Sequence, residues 1–478
     1  MMSATPSMSA MPSTDNMPSF DQALDSPVSP SPSLRPFYVI SLSYLLFTLT
    51  DGALRMIVLM QANDIGFSAF EIALMFVLYE LCGVVTNLLG GVLASRLGLR
   101  TTLLCGLVLQ CVACGLLMPF STPADWQHLG SRSAQIAYIM FTQSFAGMAK
   151  DLVKLSGKSV TKLASPQGDN SRLFYLVSRL TGFKNEVKGL GFFVGTALQR
   201  LGGFIVALSV LGVVVLLAIV PSTAFLSPTV GRSRGPRINW HRVFHKGADF
   251  NLLCAARLFL FGSRDIWFEV ALPIYMKNIL GWDTLLVGCF LAGWTVVYGL
   301  VQSYSKELAL QPLKQFPPEP RHAWPWASVL SALATLVAAG MTGVRYSGSS
   351  DAATGVIITG LALYAILFAV NSSTHSYLVV LLSDHDKVAM DVGFYYMANA
   401  AGRLLGTLLG GVLYSFYDVG DSQLVLSASG NYTLGPEFDW TARTASFSAC
   451  LWGAAVLGII STVFGVVMKR VVKPAGSE

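Results

Sequence analysis

Residues 203–222 read GFIVALSVLGVVVLLAIVPS, a run without a single charged side chain. A helix needs about 20 apolar residues to cross the hydrocarbon core of a bilayer. Only Gly202-Gly203 separates this run from another apolar segment at 186–202, and working outward the pattern repeats at 37–62, 68–94, 101–120, 134–156, 250–277, 284–304, 325–345, 354–376, 391–416 and 443–468. The chain of 478 residues is 53% hydrophobic, only 12% charged, and has a mean hydropathy of +0.58. A soluble domain carries about 25% charged residues. These figures exclude an ordinary cytosolic enzyme, a nucleic-acid-binding protein and a largely disordered chain. They predict an all-α membrane protein of twelve transmembrane helices.

The polar stretches divide those helices. Residues 1–36 are rich in Ser, Pro and Met and lack both the basic start and the apolar run of a secretory signal, so they read as a disordered tail. A six-helix bundle follows at 37–222, then a basic linker at 223–249, a second six-helix bundle at 250–468 and a short tail at 469–478. With the N-terminus inside, twenty basic residues fall in inside loops and tails, among them Arg96, Arg100, Lys184 and the Arg232–Lys246 group. Only Arg132, Arg200, Lys277, Arg345 and Arg443 fall outside. By the positive-inside rule both termini are expected in the cytoplasm, with the chain in the plasma (inner) membrane. The halves echo each other: Thr50-Asp51-Gly52 precedes Asn63-Asp64-Ile65-Gly66, and Arg264-Asp265-Ile266 precedes Asn278-Ile279-Leu280-Gly281. Gly191-Phe192-Phe193 is repeated as Gly393-Phe394-Tyr395. Six-plus-six duplication is the mark of secondary transporters whose halves rock about a midplane site. The seven cysteines are odd in number and all lie in apolar segments, so no disulfide framework is expected, and Cys111 and Cys114 read as packing residues.

Ionisable side chains within the spans carry the functional information, because a charge in a bilayer is costly and normally has a partner or a task. Seven are basic (Arg55, Lys150, Lys154, Lys188, Arg257, Arg264 and Arg403) and five acidic (Asp51, Glu80, Asp151, Asp265 and Glu269). The surplus suits an anionic substrate, since Arg and Lys bind phosphate-like oxyanions by charge-assisted hydrogen bonds. Asp51 and Arg55 are four apart and share a helix face, as do Lys150, Lys154 and Lys158, and Lys184 with Lys188. Arg257 and Arg264, seven apart, also share one. Two readings are open for these groups: they pair internally as helix-locking salt bridges, or they meet a visiting anion. Asp51, Glu80, Asp265 and Glu269 are the candidates for coupling or gating. His375 lacks an acidic partner within a turn and reads as packing or cavity lining. No cofactor, metal centre or ATP-binding loop is expected.

The stretch Gly90-Gly91-Val92-Leu93-Ala94-Ser95-Arg96-Leu97-Gly98-Leu99-Arg100, between the second and third helices, resembles the G-x-L-A-D-R-x-G-R-R loop of the major facilitator superfamily. Ser95 stands where that motif has its Asp, so the gating salt bridge made by that acid is not carried over.

Further blocks narrow the likeness. Thr50-Asp51-Gly52-Ala53-Leu54-Arg55-Met56, Tyr79-Glu80 with Gly83 to Leu88, and Ala149-Lys150-Asp151-Leu152 resemble the organoarsenical efflux permeases of the ArsJ type. So do Lys184-Asn185 with Lys188-Gly189, Ala255 to Gly262, Arg264-Asp265 with Trp267-Phe268, and Gly402-Arg403-Leu404-Leu405-Gly406. The resemblance implies export of 1-arseno-3-phosphoglycerate for arsenate resistance, in functional pairing with the glyceraldehyde-3-phosphate dehydrogenase that makes it. A cargo with a phosphate and an arsenate ester carries about three negative charges, given phosphate-like pKa values. Arsenite is disfavoured, because soft trivalent arsenic seeks thiolates and no cysteine trio accompanies the charged cluster. The expectation is a secondary transporter, working as a monomer among membrane lipid. An organic-phosphate or other organic-anion antiporter is the alternative; an intramembrane enzyme and a non-transporting receptor are the readings from other classes.

Overall fold

The computed structural model describes residues 35–119, 121–163, 170–230, 247–382, 388–416, 424–426, 432–434 and 440–471. The tail before Arg35, most of the 223–249 linker and the last seven residues lie outside this description. The first half contains α1 (Arg35–Asp64), α2 (Ala69–Met75), α3 (Val77–Leu97), α4 (Leu99–Leu117), the short α5 (Pro123–Gln127), α6 (Arg132–Leu163) and α7 (Asn170–Phe225). The second contains α8 (Ala248–Phe268), α9 (Ala271–Asn278), α10 (Thr284–Ser303), α11 (Ala323–Ser347), α12 (Ser350–Leu381), α13 (Val388–Phe416) and α14 (Trp440–Val471). A two-stranded antiparallel ribbon, Leu424–Leu426 with Tyr432–Leu434, lies between α13 and α14.

Among the described residues, eight segments are long and apolar enough to cross a membrane on length and composition alone. One of them, Ser178–Phe225, holds two passes: α7 has 56 residues, far more than one crossing needs, and its helix is broken at Gly203, where φ is 77° and ψ 179°. An L-residue is strained in that conformation. The remaining three passes are α6, α8 with α9, and α13, the helices that carry Lys150, Asp151, Lys154, Arg257, Arg264, Asp265 and Arg403. The chain is therefore an all-α membrane protein of twelve transmembrane helices in two six-helix halves. An even number of crossings puts both ends of the chain on one side, here termed the terminal end; the opposite end is the distal end.

Several helices run past the apolar stretches that predict them. The fourth pass, predicted at 134–156, is α6 and spans Arg132–Leu163, and the helix predicted from 186 starts at Asn170. Hydropathy ends where the side chains turn polar, whereas the backbone hydrogen-bond ladder continues. The seventh pass, read as continuous over 250–277, is interrupted between Phe268 and Ala271. Pro273 accounts for this: it has no N–H to donate, and its ring clashes with the carbonyl four residues back, that of Glu269.

Small residues set the close approaches, as is usual where helices pack in lipid. Gly191 abuts the Leu49 carbonyl and Gly402 the Leu258 carbonyl, while a Cβ at Gly195 or at Gly406 would stand 2.6 Å from the carbonyl oxygen of Ala53 or Gly262 respectively. The same contact thus recurs between α1 and α7 and between α8 and α13. It sets the register of the internal repeat: Leu49 corresponds to Leu258, Ala53 to Gly262 and Arg55 to Arg264. The register read from Thr50-Asp51-Gly52 and Arg264-Asp265-Ile266 is off by more than a helical turn, and Gly191 corresponds to Gly402 rather than Gly393, which abuts the Asn87 carbonyl of the other half. Short motif likeness in apolar helices is too weak to fix a register that backbone contact decides. The halves meet along α7 with α10, and along α2 and α3 with α13.

Candidate substrate site

The ionisable residues converge at mid-bundle because glycine lets their helices close on one another. Gly83 on α3 faces the Asp151 carboxylate, and Gly147 on α6 lies against the Tyr79 backbone. Glu80 stands in the first turn of α3, where a helix terminus favours an acid. Its carboxylate is shared by three cations from three other helices: Arg55 at 3.1 Å, Lys150 at 3.3 Å and Arg403 at 2.5 Å. Glu269, left at the end of α8 by the Pro273 break, faces Arg55 at 2.8 Å, Arg403 at 3.7 Å, Arg264 at 3.8 Å and Lys188 at 4.0 Å. Asp265 pairs with its neighbour Arg264 at 2.5 Å and with Arg403 Nε at 3.2 Å. Arg403–Glu80, Arg55–Glu269 and Lys188–Glu269 each join one half to the other.

Internal pairing and a visiting anion are both open in the sequence for Asp51 with Arg55 and for the lysine stripe on α6. Asp51 and Arg55 share a face but do not pair: Asp51 accepts a 2.7 Å hydrogen bond from the Tyr79 hydroxyl, and Arg55 reaches across to the two glutamates. The lysine stripe on α6 is not left unneutralised. Lys154 donates to Asp151 at 2.8 Å and to Asn87 at 3.0 Å, and Lys150 to Glu80; Tyr79 and Tyr396 rings face the two ammonium groups at 3.9 and 4.5 Å. The side chain of Lys158 lies outside those described.

These groups surround a cavity of about 100 Å³, below the roughly 300 Å³ at which drug-sized ligand pockets begin. Seven cations line it (Lys150, Lys154, Lys184, Lys188, Arg257, Arg264 and Arg403) against three acids, Asp51, Glu80 and Asp151. Arg55, Asp265 and Glu269 are buried behind the lining. Lys184, placed in a loop by hydropathy, belongs to this wall because α7 begins earlier than its apolar stretch. Its four-residue spacing from Lys188 is the signal that could have placed it there. Aromatic rings frame the other side: Phe268 and Trp294 lie 4.5 Å apart between ring centres, and Trp294 stacks on Tyr298 at 5.9 Å. His375 is buried on α12, with its Nδ1 unpartnered among the described residues.

The lining descends toward the terminal end through Lys154, Lys184 and Tyr396 and stops short of the distal end. There the halves are tied. Asn63 and Asn278 exchange hydrogen bonds of 3.1 and 3.0 Å, Lys277 pairs with Asp64, and Arg200 stands 3.6 Å from Asp283. At the terminal end of the first half, Gly98, with φ 88°, makes the turn from α3 into α4, and Arg100 donates to the Thr223 carbonyl at 2.9 Å. The side chain of Ser95 lies outside those described.

No curated protein matches the chain in sequence. Among solved structures it is similar to a bacterial homologue of the iron transporter ferroportin in an outward-facing state. The TM-score is 0.62 and the identity 15%, over 91% of this chain and 99% of that one. A likeness at that identity speaks for the fold alone. In sequence, residues 40–315 match the Major Facilitator Superfamily. That match covers more than half of the chain and spans the loop motif, the whole first half and the first passes of the second, and on it the chain belongs to the Major Facilitator Superfamily of membrane transporters.

Proposed function

We propose that this transporter exports a small, multiply charged organic anion by alternating access, and that its cargo is 1-arseno-3-phosphoglycerate. The observation that carries the anion reading is the lining itself, seven cations against three acids around a small cavity. The cargo's identity rests on the sequence blocks that resemble organoarsenical efflux permeases, and it places a glyceraldehyde-3-phosphate dehydrogenase upstream. In this reading Arg55, Lys150, Lys154, Lys188, Arg257, Arg264 and Arg403 serve the substrate, and Asp51, Glu80, Asp265 and Glu269 serve coupling or gating. The carboxylates hold the cations while no substrate is bound, and an arriving oxyanion competes for the same donors. Breaking the ties at the distal end while the halves close at the terminal end moves the site to the other face. Both termini are cytoplasmic in this proposal, the membrane is the plasma membrane, and the unit is a monomer.

Everted vesicles test it. With phosphate-labelled glyceraldehyde 3-phosphate, oxidised nicotinamide cofactor, dehydrogenase and arsenate generating the ester in place, label is expected to accumulate only when all four are present. Resistance of cells to arsenate should likewise depend on the dehydrogenase. Protection against arsenite, or protection without the dehydrogenase, would overturn the cargo. The cation surplus favours phosphate esters for the same reason as arsenate esters, so glycerol phosphate exchange for phosphate, without ester uptake, would establish the antiporter reading instead.

A further inference from the structure

We infer that, among the lining cations, Lys184 and Arg257 are the two anchor points that first receive a doubly anionic cargo, one on each half of the molecule, before it competes with the carboxylates for the others. This rests on the anion reading above. Among the described residues, the lining cations other than these two each lie within 4.0 Å of a carboxylate. Arg257 is buried, yet its partners among the described residues are all neutral. Its Nε donates to Asn399 Oδ1 at 3.0 Å, and one terminal nitrogen donates to the hydroxyl and the carbonyl of Ser372 at 3.1 and 3.3 Å. The rings of Phe261 and Tyr395 lie against the guanidinium at 4.0 and 5.2 Å. Buried charges are normally paired; this one is oriented by neutral groups and keeps its charge for a visitor. Lys184 makes no hydrogen bond or ion pair among the described residues. It shares the cavity lining with Lys188, Lys154, Arg403 and Arg264.

The two positions lie on one belt across the cavity. Asn185, next to Lys184, donates to Gln302 Oε1 at 2.5 Å, and Gln302 Nε2 donates at 3.4 Å to the same Ser372 hydroxyl that receives Arg257. Tyr298 donates to that hydroxyl at 3.2 Å. A chain of three neutral side chains therefore links the N-terminal half, at Lys184, to the C-terminal half, at Arg257. A ligand with an oxyanion at each end of a short carbon stem satisfies both cations and bridges the halves; a ligand with one oxyanion satisfies only one of them. The site is specific for bis-anions on this geometry.

Binding of propane-1,3-diyl bisphosphate and of propyl phosphate to the purified full chain separates the two cases. The bisphosphate is expected to bind wild type at least about tenfold more tightly, the effect of one further charge-assisted hydrogen bond. In Lys184→Gln and in Arg257→Gln that advantage should fall to within about twofold, and Lys184→Arg should restore it. Lys184→Gln leaves no carboxylate without its partner, so its folding, followed by melting, should match wild type even where Arg257→Gln proves unstable. Retention of the full advantage in Lys184→Gln or in Arg257→Gln would overturn the assignment while leaving the anion reading intact. Failure of both esters to bind wild type would overturn the anion reading itself.

Discussion

Glu80 is the residue on which most of the charged cluster depends. Its carboxylate is almost fully buried and is shared by Arg55, Lys150 and Arg403. Removing one partner from a buried ion pair costs about 3–5 kcal/mol, because the remaining charge is left without compensation. Glu80→Gln is therefore expected to lower melting in detergent sharply. Asp51→Asn should change it little, since its described partner is the Tyr79 hydroxyl, which an amide oxygen also accepts. Equal losses for the two variants would show that Asp51 has a structural weight the geometry does not give it. The candidates themselves were legible in the sequence, as ionisable residues inside apolar spans. Their pairing was not. Arg403 and Glu80 are 323 residues apart, and spacing along one helix left Asp51 as one open partner for Arg55, whose carboxylate partners come from other helices.

Helix contacts are where single atoms decide packing. A Cβ at Gly406 would stand 2.6 Å from the Gly262 carbonyl, whereas one at Gly293 would meet nothing within 4 Å. Ala is more helix-favouring than Gly by about 1 kcal/mol, so Gly293→Ala should hold or raise the melting temperature, while Gly406→Ala should lower it by forcing α8 and α13 apart. The opposite order would refute the close approach that sets the repeat register. Helix number was legible at this scale because each pass is an apolar run of the right length. The break at Glu269 was legible too, from Pro273 standing four residues on, although the segment reads as continuous by hydropathy. The polar ends of α6 and α7 were not, because nothing in their composition separates a helical extension from a loop.

At the scale of the whole molecule, the terminal and distal ends differ in what ties the halves together. Cysteines at Asn63 and Asn278, in a background without other cysteines, are expected to cross-link on oxidation and to stop transport until reduced. Full transport in the cross-linked protein would show that the distal ends do not separate. Cysteines placed between residues 232 and 246 test the orientation: they should react with a membrane-impermeant reagent only from the cytoplasmic side, and external labelling would reverse the proposed topology.

Composition and the period of apolar runs determined that this chain is a twelve-helix membrane protein, because a bilayer demands a fixed length of apolar helix whatever the neighbours are. The loop motif and the six-plus-six division pointed to the superfamily for the same local reason. Only the tertiary structure decided which charges neutralise one another and which remain for a ligand. Ion pairing acts over a few ångströms in space and takes no account of separation along the chain, so the four carboxylates Glu80, Asp151, Asp265 and Glu269, on three helices, could select their cations only once glycine contacts had set the distances between the helices. Lys184 and Arg257, left without an acid among the described residues, are visible only after every other cavity-lining cation has found one.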